Sequence, residues 1–111
     1  MAIENARLTT TQNDVLVVPA GKSYAITNIL VCNTSSTNSA NFDMHLIKSG
    51  QSLNSQRTIV IRQLDLPPSE TFTFDSERIV LSEGDSLSFQ AEPDVGSGDT
   101  DLAVTVSYLE V

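Results

Sequence analysis

Apolar and polar side chains alternate with a period of two along most of this chain, the spacing of half-buried β-strands. Asn41 to Lys48 is the clearest stretch: Phe42, Met44 and Leu46 fall on one side, Asp43 and His45 on the other. Lys22 to Asn33 is the longest. Its spacing places Tyr24, Ile26, Leu30 and Cys32 on one face and Ala25, Thr27, Ile29 and Val31 on the other. Both faces are fairly apolar, which predicts a central strand covered on each side. Arg57 to Leu64 sets Ile59 and Ile61 against Val60 and Arg62, and Thr71 to Phe74 puts Phe72 and Phe74 on one face. Arg7 to Thr11, Val15 to Val18, Arg78 to Leu81, Ser86 to Ala91 and Leu102 to Leu109 complete the set.

Between these segments lie turn signals. One pattern occurs twice: a β-branched run meets a Gly-centred turn and restarts as a strand, at Val17 to Ile26 and at Val80 to Phe89. Pro67-Pro68-Ser69-Glu70 reads as a rigid extended connector. Asn33 to Asn41 reads as a polar hairpin loop without an apolar anchor, and Ser49 to Gln56 as a long loop. Serine and threonine together number 25, and β-branched residues fill many apolar positions, so helix propensity is poor throughout. The prediction is an all-β fold: an antiparallel β-sandwich, jelly-roll-like, of about eight to nine short strands.

At 111 residues there is room for one domain. Residues 1–12 read as a polar N-terminal arm, able to lie across a neighbouring subunit, and 13–111 as a single β-sandwich domain. No run approaches 18 apolar residues, so no membrane span is expected. The opening Met1-Ala2-Ile3-Glu4-Asn5 lacks a basic start and an apolar core, so the expectation is synthesis in a cytoplasm. A single cysteine agrees with a reducing compartment.

The net charge of −8 is unevenly placed. Residues 1–63 stand at +2 and residues 64–111 at −10. Phosphate neutralisation needs clustered Lys and Arg, so no nucleic-acid partner is expected. The acidic surface limits non-specific association, and charge segregation can help identical subunits or a basic partner find one register.

Candidate chemistry is sparse. His45 is the only histidine, which excludes a multi-His metal centre within one chain, and no Gly-x-Ser-x-Gly elbow supplies a nucleophile for it. Its register predicts a surface or interface residue. Cys32, in the apolar register, reads as a buried and inert thiol. Asp94, Asp99 and Asp101 sit in a Gly-rich loop that could wrap a hard cation such as calcium, although the spacing is not that of an EF-hand. No phosphate-binding glycine loop occurs. No catalytic, cofactor-binding or metal residue is therefore assigned, and neither enzyme activity nor a cofactor is expected.

The run Val17-Val18-Pro19-Ala20-Gly21-Lys22, continuing through Ile26, Ile29, Val31 and Asn33, resembles the opening of small tailed-phage virion structural proteins. The likeness continues through Phe42 to Lys48, the phrase Leu81-Ser82-Glu83-Gly84-Asp85-Ser86-Leu87 and a C-terminal strand from Leu102 to Leu109. It covers about residues 14–110, and the acidic second half departs from it. The resemblance implies a β-sandwich head decoration, tail or fibre-associated subunit, made in the host cytoplasm and resident in the virion. It implies a homo-oligomer that touches other virion proteins such as capsid or tail subunits, and it carries over no catalytic residues. Exposed sheet edges favour a trimer or higher ring. The alternative is a carbohydrate-binding jelly-roll module of a receptor-binding fibre. Sugar platforms want exposed aromatics, and the amphipathic rings, Tyr24 and Tyr108, fall in registers that read as buried.

Overall fold

The alternating segments fold into eight strands: β1 (Ala2–Thr9), β2 (Asn13–Val17), β3 (Tyr24–Asn33), β4 (Ala40–Ile47), β5 (Ile59–Leu66), β6 (Thr71–Leu81), β7 (Ser86–Ala91) and β8 (Asp99–Glu110). The computed structural model describes residues 2–9, 11–54, 56–91 and 99–111, with backbone alone at 75–78 and 99–101. The strands make two four-stranded antiparallel sheets, A in the order β1-β8-β3-β6 and B in the order β2-β7-β4-β5. This is an all-β antiparallel sandwich. The ladder pairs β1–β8, β2–β7, β3–β6 and β4–β5 nest inside one another. Only β4 and β5 are neighbours both in the chain and in a sheet. Asn33 to Asn41, expected as a hairpin loop, therefore crosses from sheet A to sheet B.

Residues 2–9 form an edge strand on β8 of the same chain, polar because it covers little of the core: Leu8 is its only buried side chain. The core lies between the sheets. Ile26, Ile29 and Val31 of β3 and Leu102, Val104 and Val106 of β8 face Phe42 and Met44 of β4 and Leu87 and Phe89 of β7. Phe42 sits at the centre, with the rings of Phe72 and Phe89 at 6.0 and 6.2 Å, offset and tilted as aromatic quadrupoles prefer.

The twice-written turn pattern gives the same structure twice. Lys22 N–H donates to Pro19 O at 3.3 Å and Asp85 N–H to Ser82 O at 3.0 Å, with Gly21 and Gly84 at φ +77° and +82° in the third position. That is the left-handed site of a type II turn, where a Cβ is penalised. The two turns also bind one another: Val18 N–H donates to Asp85 O, and Gly84 N–H to Val18 O, each at 3.0 Å. Pro67 to Glu70 is not the extended connector the paired prolines suggest. It closes a third turn, Glu70 N–H to Pro67 O at 3.3 Å, with Ser69 at φ +64°.

Two elements depart from simple alternation. A β-bulge between Ile26 and Asn28 reverses the face of the rest of β3. Tyr24 and Ile26 point inward before it, and Ile29, Val31 and Asn33 after it, so Leu30 and Cys32 turn to the outside. Opposite the bulge, β6 runs without interruption through 75–78, fusing the two short strands expected at 71–74 and 78–81. The polar 33–41 segment does have an anchor. Asn33, 1 % exposed, donates from Nδ2 to Asn38 O and Leu66 O, and its Oδ1 accepts from Ser35 N–H.

Candidate functional site

Three regions hold groups that could act on another molecule. The first is a polar row across the outer face of sheet B. Register aligns Asp14 of β2, Ser88 of β7 and His45 of β4. His45 points outward, as its spacing predicts, yet it is 1 % exposed rather than on the surface. The segment between β4 and β5 folds back over it: Thr58 Oγ1 lies 2.8 Å from His45 Nδ1. The Thr58 hydroxyl gives its proton to Asn54 O and accepts from Asn54 N–H, so the imidazole donates from Nδ1. Burial pulls the His45 pKa below its usual value, partly opposed by the nearby Asp43 carboxylate. Ser88 and Asp14 resemble the other members of a hydrolytic triad, but the arrangement is a different one. The Ser88 hydroxyl donates to Asp14 Oδ1 at 2.5 Å, and Ser88 is fully buried, so its oxygen faces neither the imidazole lone pair nor a substrate. Within the row, the Ser88–Asp14 bond ties β7 to β2 and the His45–Thr58 bond ties β4 to the loop that follows it.

The second region is a shallow pocket of about 350 Å³ at one end of the sandwich, lined by Ala2, Lys22, Tyr24, Tyr108 and Glu110. Tyr24 and Tyr108 stack on each other with ring centroids 4.5 Å apart. Tyr24 is 8 % exposed and offers no open platform of the kind a sugar face needs, while Tyr108 is half-buried against it. Lys22 Nζ stands 3.9 Å from Glu110 Oε2 at the rim, an exposed pair of little energetic weight. Burial raises the Tyr108 pKa, with Glu4 and Tyr24 adding to it.

The third region is the outer face of sheet A, which the bulge in β3 creates. Ahead of the bulge, Val80 of β6, Ala25 of β3 and Leu109 of β8 form one cross-strand row. Beyond it, Thr73, Leu30, Thr105 and Asn5 form a second, and Thr71, Cys32, Ala103 and Arg7 a third. Ile3 stands beside Ser107 between them, and the hydroxyls of Ser107 and Thr27 hydrogen-bond at 2.8 Å. Ile3, Val80 and Leu109 are 61, 57 and 38 % exposed. Cys32, expected as a buried thiol, is a free, half-buried one on this face, because the bulge moved it out of the core register. Arg7 brings a charge to the third row, and the Ile3–Ser107–Asn28 row continues in register to Asp75 of β6. Among the described residues, the cover expected on both sides of β3 comes on the inner side alone.

The acidic loop gives no geometry: Asp94 lies outside the described residues, and Asp99 and Asp101 are described only as backbone of β8. Among the described residues no group of three or more His, Cys, Asp or Glu side chains comes together. Sequence reasoning missed the sheet A face as a site. The signal was present in the two apolar faces of β3, but no residue marks where the second face would find its cover. Comparison with family models, curated proteins and solved structures finds no match.

Proposed function

We propose that this chain is a structural subunit of a phage particle, a head decoration or tail-associated protein that works by self-assembly and contact with other virion proteins. The observation that supports this reading is the outer face of sheet A. A chain of net charge −8 presents a broad sheet face that bears three exposed aliphatic side chains, Ile3, Val80 and Leu109. Such a face costs solubility unless a partner covers it. The rigid two-sheet frame, 43 × 27 × 18 Å, suits a building block. The wrapped strand order supports reading the sandwich as a jelly roll. The phage setting rests on the sequence phrases at Val17 to Asn33 and Leu81 to Leu87. On this reading the protein is made in the host cytoplasm, carries out no chemistry and ends in the virion.

The test is a particle-incorporation assay on the tagged chain with light scattering on the purified protein. A discrete homo-oligomer and a fixed copy number per particle are expected. A monomer that is absent from particles would overturn the reading.

A further inference from the structure

We infer that the 48–58 segment is an acid-opened cover on the outer face of sheet B, latched by His45. The inference is independent of the assembly reading above. His45 is 1 % exposed although it points away from the core, and its cover is polar. Thr58 is buried in that cover and Leu53 half-buried, while Lys48 to Ser52, Asn54, Gln56 and Arg57 are exposed. A segment that buries so little apolar surface belongs to the low end of local stability. Its far end is fastened at Thr58, where His45 Nδ1 donates to the hydroxyl and Leu46 N–H donates to the carbonyl at 2.9 Å. Its near end is fixed by the bond from Ser49 N–H to Asp85 Oδ1 at 2.8 Å. Gly50 follows at φ +83° with open space where a Cβ would be, and supplies the hinge between the two.

The latch suits a neutral ring. The Thr58 hydroxyl gives its proton to Asn54 O, so the imidazole already donates from Nδ1, and a second proton at Nε2 puts a full charge beneath the segment. The flanking acids are engaged. Asp43 of β4 accepts Gln63 N–H at 2.6 Å, and Asp14 of β2 accepts from Ser88 Oγ and, at 2.8 Å, from Gln12 Nε2. Opposite the ring, β5 sets Ile59 and β7 sets Ser88, both uncharged. The segment itself brings only cations, Lys48 and Arg57. Burial therefore outweighs the pull of Asp43, and the charged ring is favoured once the segment lifts to let water in. Phe42 and Met44, on the other side of β4, stay packed between the sheets when it does.

The experiment is amide hydrogen exchange at pH 7.5 and 5.5, corrected for intrinsic rates, on wild type, His45→Gln and Thr58→Val. The window lies above the ordinary carboxylate range, and a solvated imidazole takes up its proton near 6.5. Opening coupled to that one proton should cost the amides of Leu46, Arg57 and Thr58 about threefold to tenfold in protection at the lower pH. The amides of β3 and β8 should keep theirs. His45→Gln retains a donor for Thr58 but takes no proton, so its segment should show no pH-dependent loss. Thr58→Val, without the acceptor, should lose segment protection already at pH 7.5. Circular dichroism verifies that each variant is folded, and if His45→Gln is not, the wild-type contrast between segment and core amides decides alone. Unchanged segment protection at pH 5.5, an equal loss in folded His45→Gln, or a simultaneous loss from β3 and β8 would overturn the inference.

Discussion

The twin turns allow a sharp test, because they share backbone geometry and differ in what stands next to the glycine. Gly21, at φ +77°, has nothing within 4 Å of where a Cβ would be. Gly84, at φ +82°, would place its Cβ against the Ser49 side chain, whose own Cβ is only 2.8 Å away. Gly21→Ala should thus cost only the left-handed conformation, about 1 kcal/mol. Gly84→Ala should pay the same and also displace Ser49, adding about 1–3 kcal/mol. Ser49 cannot retreat freely, since its N–H donates to Asp85 Oδ1 at 2.8 Å while Ser82 N–H donates to Oδ2 at 2.9 Å. Urea unfolding reads the difference. At a slope of about 1–3 kcal/mol per molar, the midpoint should fall by roughly 0.5 M for Gly21→Ala and by about 1–2 M for Gly84→Ala. Adding Ser49→Gly should recover most of the excess, with a coupling of about 1 kcal/mol or more. Equal losses at the two glycines would refute the close approach of the β4–β5 segment to the second turn.

Two further outcomes follow from the polar details. The His45 pKa is depressed, so the folded state disfavours the charged ring. The stability this contributes is full above the unfolded-state value of about 6.5 and is lost as pH falls through the folded value. Melting temperature should therefore decline below that pH more steeply in wild type than in His45→Asn, and parallel curves would contradict the buried neutral ring. Ser69 sits at φ +64° with only a long 3.4 Å hydroxyl contact to Ser35 O, so Ser69→Gly should be neutral or stabilise by up to about 1 kcal/mol in urea melts; a clear loss would point to an unrecognised role for the hydroxyl.

The alternation made the strands legible because each sheet buries one face, and a period of two is all that such a strand needs. Phe42, Met44 and Leu46 on β4 and the inward set of β8 were readable for that reason. The bulge at Thr27 was not, since Thr fits a continuous strand and nothing local marks the extra residue. That one residue decides the faces of Leu30 and Cys32. His45 was placed on the correct side with the wrong exposure, because its cover is a polar segment held by backbone and hydroxyl hydrogen bonds at Asn54 and Thr58. Such bonds leave no hydrophobic signature. Edge strand β1 was partly legible: its polar start hid the pairing that Ala2 to Thr9 makes with β8.

The reactivity of Cys32 toward a maleimide tests the central claim most directly, since the thiol reports both the bulge and the cover on sheet A. In dilute native protein the thiol should react far faster than the chain globally unfolds, and the rate should fall as concentration carries the protein into its assembled form. A thiol that stays silent until denaturant unfolds the chain would put Cys32 back in the core and remove the face on which the account depends.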